Sequence, residues 1–260
     1  MASLSRKAMI GYPAGIITGI TYGLNPLFAV PLMNSGASIG SILFFRYGIA
    51  VVILGLFILL GKHSFKVSFK QAGVLIVLGL LYSTSSLLLF EAYNYIASGL
   101  ATTLVFLYPV LVAIIMVFLR VVPSWPVWLS IALTFLGVLI MTNSGSAQDV
   151  NPTGILLSVG SSFSYALFIV VINRSKVIAG ISNSLLTFYA LLMGAVVFFV
   201  KILWSGSALT QGIYGPISWL NLVGLALLPT IVSTATLAVA TRNILSLIHI
   251  SEPTRRSYIS

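Results

Sequence analysis

Long apolar stretches recur along almost the whole chain, and they limit its fold more than any other feature. A transmembrane helix needs roughly 20 consecutive, mostly apolar residues, and stretches of that kind follow one another here with only short polar connections. The chain is therefore expected to be an all-α polytopic membrane protein. We predict eight spans, at about residues 9–32, 38–61, 71–96, 98–119, 125–143, 153–173, 182–204 and 216–241.

The composition supports this fold class. Hydrophobic residues make up 59% of the 260 residues and charged residues only 6%, which is too few charges to solvate the surface of a soluble domain. Because cysteine is absent, disulfides, thiol catalysis and thiolate metal sites are excluded. The net charge of +10 is better explained by basic loops that fix the topology than by a nucleic-acid partner, and none is expected.

Lysine and arginine are distributed unequally between the two sets of loops. If the helices alternate in direction, nearly all of these residues fall on one side of the membrane, and Lys201 lies close to the other side. The positive-inside rule then places the N-terminus in the cytoplasm. The first span is not preceded by a signal-peptide cleavage pattern and is expected to remain. We predict a multi-pass protein of the plasma membrane, of the bacterial inner-membrane type.

A weak internal repeat runs through the sequence. With a shift of 143 positions, the first span aligns with the sixth and Tyr22 aligns with Tyr165. The third span aligns with the eighth, where Ser85 meets Ser233. A unit of five helices is followed by a second unit that starts from the opposite side, so the repeat is inverted, as in many transporters. The predicted units are residues 8–143 and residues 153–244, and the second unit holds three helices.

Several stretches resemble the EamA family of the drug/metabolite transporter superfamily. They include "GITYGLNPLFAVPLM", "EAYNYIASGLATTLVFLYPVLVAIIMVF", "SSFSYALFIVVINR" and "ALLPTIVSTATLAVATR". The resemblance covers about residues 8–244. It implies ten helices in two inverted five-helix repeats around a central cavity, and the movement of metabolites such as amino acids or related compounds, often by export. The sequence departs from that pattern because helices nine and ten are missing.

Residues 245–260 differ in character from the rest of the chain. Written as codons, "LSLIHISEPTR" matches the transposase end and primer adapter of a common short-read sequencing library, and the adapter resumes at Ile259 after a gap of barcode length. We therefore expect this tail to be translated adapter, and His249 and Glu252 to have no chemical role. The alternative is a natural cytoplasmic tail of odd composition. On the first interpretation the 260-residue chain is an incomplete transporter that does not move substrate.

Two charged residues are candidates for a role inside the membrane. Glu91 is the only acid in a predicted span, and an ionisable group in hydrocarbon is costly unless it faces a cavity or a partner. At about 1.5 Å per residue, Glu91 lies roughly 8 Å and Arg46 roughly 12 Å from the outer helix ends, so the two side chains could meet. The sequence favours a structural Arg46–Glu91 ion pair or a glutamate that reaches the outer interface. The functional alternative is that Glu91 couples a proton or binds a substrate ammonium.

Prolines and polar residues in the middle of the spans are the candidates for a binding site. Pro26, Pro109 and Pro229 each free a backbone carbonyl, and broken helices line many transporter sites. An ordinary packed kink is the alternative for each. Hydroxyl groups in the third and eighth spans can bind substrate or simply pack. The predicted cavity residues are Tyr22, Asn25, Tyr82, Ser85, Ser86, Tyr108, Tyr165, Ser233 and Thr234.

These features favour a secondary transporter of small metabolites that works by alternating access. The sequence has no phosphate loop, metal-ligand cluster or nucleophile–base pair, so we expect neither an enzyme nor a cofactor, and transport driven by an ion gradient or by the substrate's own gradient. The expected partners are the lipid bilayer, a small-molecule substrate and a coupling proton. An integral-membrane enzyme or a non-transport scaffold is the alternative, and the substrate, the direction and the oligomeric state stay open.

Overall fold

The computed structural model describes residues 2–62, 64–119, 151–206 and 208–240, with positions 129, 132 and 136, and it describes side chains from Met9 onward. These ranges contain helices and short connections. The helices are α1 (Ala2–Gly23), α2 (Asn25–Asn34), α3 (Ile39–Leu60), α4 (Phe69–Ala92), α5 (Ser98–Val105), α6 (Tyr108–Phe118), α7 (Pro152–Arg174), α8 (Asn183–Ser205) and α9 (Gly215–Ala226). After Ala226, α9 passes into a π-helical turn at Leu227–Val232 and then continues as helix to residue 240.

In the described ranges, seven helical segments are long and apolar enough to cross a membrane. Three of them are interrupted spans, formed by α1 with α2, by α5 with α6, and by α9 with its π-helical continuation. The predicted all-α polytopic fold is confirmed. The predicted span at residues 125–143 lies outside the described residues, except that Leu129, Ala132 and Leu136 are helical.

Each interruption lies at one of the mid-span prolines. The first span leaves the α-helix at Leu24, two residues before Pro26, and the fourth at Phe106 and Leu107, just before Pro109. Pro229 lies inside the π-helical turn of the last span. A proline has no N–H for the helical bond to the carbonyl four residues earlier, and its ring crowds that carbonyl, so helices kink or break at these points.

Side-chain caps define where several spans begin. The α4 helix starts with a capping box, because Ser68 Oγ accepts from the Gln71 N–H at 3.3 Å and Gln71 Oε1 accepts from the Ser68 N–H at 2.8 Å. Ser38 caps α3 and Ser182 caps α8 in the same way, without the reciprocal bond. These caps satisfy N–H groups that a helix start leaves unpaired, and they fix the register of the helices that follow.

The loops gather at two ends of the bundle. The basic end holds loops 61–68 and 175–182, which meet where Gln71 Nε2 donates to the Val177 carbonyl at 3.3 Å. Tyr189 Oη also donates to the Phe65 carbonyl there, at 2.7 Å. At the opposite end, Ser35 Oγ donates to the carbonyl of Gly212 at 2.6 Å. The topology predicted from Lys and Arg makes the basic end cytoplasmic.

Two interhelical contacts occupy equivalent positions in the predicted repeat. Ser161 Oγ donates to the carbonyl of Ser85 at 2.7 Å and thereby joins α7 to α4. Ser233 Oγ donates to the carbonyl of Thr18 at 3.5 Å and joins the last span to α1. The shift that aligns Tyr22 with Tyr165 also aligns Thr18 with Ser161. An inverted repeat is expected to generate paired contacts of this kind around its axis.

Small residues let the central helices approach closely. A Cβ added at Gly79 of α4 would collide with the side chain of Met193 and lie 3.0 Å from the Ala190 carbonyl, both on α8. A Cβ added at Gly194 of α8 would collide with the ring of Tyr47. Membrane helices associate through such small-residue contacts because lipid supplies little hydrophobic drive for their packing.

Candidate substrate cavity

A cavity of about 320 Å³ lies between α4, α7, α8 and the last span. Its inner end, near the middle of the bundle, is formed by Tyr82, Tyr165 and Phe168. Aliphatic side chains line its walls, and it extends to the loop 175–182 at the basic end. Its polar lining consists of Asn173, Asn183, Thr187 and Thr234 together with the two tyrosines. A space of this size, mostly apolar with a few polar groups, is typical of small-molecule sites.

Four of the predicted site residues converge on one ring. The Tyr165 ring lies 4.9 Å from the ring of Tyr108, 6.1 Å from that of Tyr82 and 6.4 Å from that of Tyr22. The four tyrosines come from four different spans, so the cluster exists only in the folded bundle. Tyr82 and Tyr165 are 4% and 6% exposed. The edge-to-face and tilted geometries are those that aromatic pairs prefer.

The hydroxyl groups of Tyr22, Tyr82, Tyr108 and Tyr165 have no hydrogen-bond partner among the described residues. Buried or half-buried hydroxyl groups normally find a partner, because leaving one unpaired in an apolar setting is costly. Other tyrosines in the bundle follow this rule: Tyr47 pairs with Ser86 Oγ at 2.6 Å. Of these four tyrosines, Tyr82 and Tyr165 line the cavity, and Tyr22 and Tyr108 do not.

Side-chain donors form hydrogen bonds to the three backbone carbonyls that the mid-span prolines leave unpaired. Asn25 Nδ2 donates to the carbonyl of Tyr22 at 2.8 Å. Pro26 cannot donate to this carbonyl because it has no N–H. Thr230 Oγ1 donates to the carbonyl of Leu225 at 2.9 Å, in place of Pro229. In the fourth span the donor comes from another helix: Ser162 of α7 donates to the carbonyl of Val105 at 3.1 Å. These contacts support the interpretation of the breaks as packed kinks, since no broken-helix carbonyl among the three is open to a ligand.

Asn25 is fully buried, and its Oδ1 is the one completely buried side-chain N or O atom without a partner in the described part of the chain. It lies at the break in the first span and does not line the cavity. The predicted placement of Asn25 in the cavity is therefore not what the structure shows. The side chain turns to the Tyr22 carbonyl because that acceptor is three residues away and otherwise unpaired.

Most of the predicted hydroxyl residues pack between helices instead of facing the cavity. Ser85 pairs with Ser161 Oγ at 3.1 Å and Ser86 pairs with Tyr47. Ser233 bonds across to α1. Thr234 lines the cavity, although its Oγ1 donates back to the Thr230 carbonyl at 2.7 Å. Short hydroxyl side chains bond to nearby backbone or to a facing helix when no water is present.

Arg46 and Glu91 do not form an ion pair, which was one of the two structural roles considered for them. Arg46 is 1% exposed, and its Nε donates to Thr230 Oγ1 at 2.7 Å. Glu91 is half-buried near the opposite end, where its Oε2 accepts from Asn94 Nδ2 at 3.4 Å. The sequence places Arg46 and Glu91 at similar depths in the membrane, but their side chains contact different neighbouring residues. The geometry supports the alternative of a glutamate at the outer interface.

Tyr93 lies just beyond the end of α4, and its hydroxyl pairs with Thr102 Oγ1 at 2.8 Å. Burial raises the pKa of Tyr93, against the smaller lowering effects of the Thr102 hydrogen bond and the charge of Arg46. This hydroxyl stays protonated at neutral pH. The described ranges contain no group of three or more His, Asp or Glu that could hold a metal ion.

The sequence analysis missed the α7 and α8 residues that form much of the cavity wall. Phe168, Asn173 and Asn183 line the cavity but were not predicted. The two asparagines flank the short loop between two apolar spans, and that position was a usable signal. Phe168 carried no signal, because an aromatic residue in a span faces lipid as readily as a cavity.

The sequence profile of the EamA-like transporter family matches residues 9–143. No curated protein sequence matches the chain. A solved structure described only as "Crystal structure of protein" superposes with a TM-score of 0.65 at 15% sequence identity, over 92% of this chain and 82% of that one. At that identity the likeness concerns the fold alone.

Proposed function

Since the chain belongs to the EamA-like transporter family, we propose that it is a secondary transporter that moves small metabolites by alternating access around the cavity beneath Tyr165. The observation that carries this proposal is the convergence of four tyrosine rings from four spans, two of which, Tyr82 and Tyr165, form the inner end of a cavity. A site assembled from several helices changes shape when those helices move. This coupling of site to helix position is what alternating access needs.

The contacts at the two ends describe one state of such a cycle. Toward the opposite end, the Ser35–Gly212 and Arg46–Thr230 hydrogen bonds hold α2 and α3 against the last span and its preceding loop. The cavity extends instead toward the basic end, which is predicted to be cytoplasmic. For an exporter this is the state that loads substrate. We propose export as the direction, with opening of the opposite end as the release step.

The coupling proton has no evident carrier in the cavity. The described cavity wall contains no carboxylate, and Glu91 lies outside it. A proton-driven cycle would therefore need a proton carrier outside the described cavity wall. Transport driven by the substrate's own gradient is the simpler proposal.

Two experiments test the function. Comparison of metabolites released by cells with and without the gene should reveal compounds that accumulate outside only when the gene is present. Those compounds should then raise the melting temperature of the purified chain in detergent, because a ligand that binds only the folded state stabilises it. Equal release by both cell lines, with no stabilising compound, would count against a transport role.

Tyr165→Phe and Tyr214→Phe form a matched pair for the binding measurement. The first removes a hydroxyl from the tyrosine cluster and the second removes one from a loop tyrosine that is 71% exposed. Ligand stabilisation should decrease in Tyr165→Phe and be unchanged in Tyr214→Phe. Equal behaviour of the two variants would place the binding site elsewhere.

A further inference from the structure

We propose that the substrate is a small organic anion, with a carboxylate or similar group, and that Arg46 sets this preference from behind the inner end of the cavity. This inference rests on the proposed function and adds the charge of the substrate to it. Three independent features carry it: a buried guanidinium with no acidic partner among the described residues, two tyrosine hydroxyls at the inner end of the cavity, and basic residues next to the residues of the cavity mouth.

The Arg46 guanidinium is a buried cation without an acidic counterpart. No carboxylate of the described residues lies within 4 Å of it. Its described acceptors are neutral: Thr230 Oγ1 at 2.7 Å and, more weakly, the carbonyl of Pro229 at 3.5 Å. A guanidinium has five N–H donors, and the others have no acceptor in the described part of the chain. A cation buried in this way favours the arrival of an anion, because desolvation is offset only by opposite charge.

Aromatic rings link Arg46 to the cavity. Its Cζ lies 5.9 Å from the centre of the Tyr47 ring, and that ring stacks on Tyr82 at 5.7 Å. Tyr82 in turn forms the inner end of the cavity. Inside the bundle the charge of Arg46 is screened less than it would be in water, so it favours an anion at the inner end of the cavity.

The unpaired tyrosine hydroxyls provide the direct contacts. A tyrosine O–H donates a hydrogen bond readily, and a carboxylate accepts several at once. Tyr82 and Tyr165 offer two such donors at the inner end of the cavity, and the rings of Tyr22 and Tyr108 pack against Tyr165. A substrate anion at this position would accept from the hydroxyls, while Arg46 behind them supplies the opposite charge. Hydrogen bonds to an ionised acceptor are the stronger kind.

The route into the cavity carries charge of the same sign. Arg174 and Lys176 flank the cavity residues Asn173 and Ile178 at the basic end. Lys66 and the other lysines of the adjoining loop lie close by, because loop 61–68 packs on the start of α8. The described residues at this end include no acid. A positive rim of this kind raises the local concentration of anions and repels cations.

The walls of the cavity indicate the polarity of the rest of the substrate molecule. Between the rim and the tyrosines, the cavity is lined by aliphatic residues such as Ile169, Leu186 and Leu191, and by the Phe168 ring. An apolar body with one anionic group fits this arrangement. An organic cation does not, since every charged group along the route repels it.

A pair of isosteric probes tests the inference directly: 3-phenylpropanoate and 3-phenylpropanamide, titrated into the purified chain in detergent at constant ionic strength. We expect the anion to bind at least about tenfold more tightly than the amide, because both the charge-assisted hydrogen bonds and the Arg46 field favour it. Arg46→Gln should reduce this ratio at least about threefold. Lys201→Gln, which removes an exposed positive charge toward the opposite end, serves as the matched control and should change the ratio by less than about twofold.

Arg46→Lys provides a second variant in case Arg46→Gln does not fold. It keeps the charge and loses only the guanidinium fork, so the preference for the anion should be retained within about threefold. Equal binding of both probes to the wild type would overturn the anionic preference and leave the proposed function standing. An anion preference that survives unchanged in Arg46→Gln, or that is lost in Arg46→Lys, would overturn the role assigned to the Arg46 charge. If neither probe binds, both the inference and the cavity as a substrate site are overturned.

Discussion

The rings of Tyr22 and Tyr165 lie 6.4 Å apart, although the two residues belong to different halves of the predicted repeat. They are also the residues that the repeat aligns with each other. Equivalent residues of an inverted repeat meet only near the axis that relates the two halves. The tyrosine cluster therefore lies at the centre of the predicted symmetry, where the two predicted halves meet.

Helix packing in the centre of the bundle should tolerate no extra atom at Gly79. Gly79→Ala is expected to lower the free energy of unfolding by about 1–3 kcal/mol, because its Cβ would press on Met193 and the Ala190 carbonyl of α8. The unfolding of purified protein by SDS in mixed micelles measures this change.

Gly48 supplies the control for Gly79, because a Cβ there meets nothing within 4 Å. Gly48→Ala should change stability by less than about 1 kcal/mol, with any change toward greater stability, since alanine is the better helix former. Equal effects of the two substitutions would show that α4 and α8 do not approach as closely as described.

The contact between Ser162 and the Val105 carbonyl should stabilise the break at Pro109. We predict that Ser162→Ala costs about 1–2 kcal/mol of unfolding free energy, because the carbonyl then remains unpaired within the bundle. Pro109→Ala restores a backbone N–H near that carbonyl. The double variant should therefore be more stable than Ser162→Ala alone.

Ser218→Ala is the control for this cycle, since Ser218 Oγ donates to the Tyr214 carbonyl of its own exposed helix start at 2.8 Å. Its effect should stay within about 0.5 kcal/mol. Additive effects of Ser162→Ala and Pro109→Ala would contradict the proposed link between the hydroxyl and the missing N–H.

Much of the fold could be predicted from hydrophobic length alone, whereas side-chain partners could not. The tyrosines at mid-span were predicted to share a site, and the structure brings Tyr22, Tyr82, Tyr108 and Tyr165 together because each lies near the middle of its own span. Similar depth in the membrane left an Arg46–Glu91 ion pair open as one possibility, but depth does not determine which neighbour Arg46 meets. Its actual partner is Thr230, the residue after a proline.

The hydrogen bond of Ser162 is a second contact that could not be predicted from the sequence. It caps a carbonyl on another span, and no spacing along the chain relates Ser162 to Val105. Asn25, by contrast, caps a carbonyl three residues away and was recognisable from "TYGLNP". Local polar contacts can be predicted, and contacts between spans depend on helix rotation, which composition does not specify.

Glu91 should not take part in ligand binding. Because Glu91 lies outside the cavity and accepts a hydrogen bond from Asn94 near the opposite end, Glu91→Gln is predicted to leave the affinity for a cavity ligand unchanged within about twofold. Titration of the ligand into both proteins at two pH values measures this. A tenfold loss of affinity would restore Glu91 as a substrate-binding or proton-coupling residue.

The Tyr165 ring and its hydroxyl should have separable roles. The ring packs against three other tyrosines and Phe168, so Tyr165→Ala is expected to cost about 3–5 kcal/mol of unfolding free energy. Tyr165→Phe keeps the ring and should cost less than about 1 kcal/mol, since the hydroxyl has no partner to lose in the described part of the chain. Ligand affinity should nevertheless fall about threefold to tenfold in Tyr165→Phe, which corresponds to one hydrogen bond. SDS unfolding and ligand titration of the same preparations measure both quantities, and a Tyr165→Phe variant with full affinity but lowered stability would show that the hydroxyl serves the fold and not the substrate.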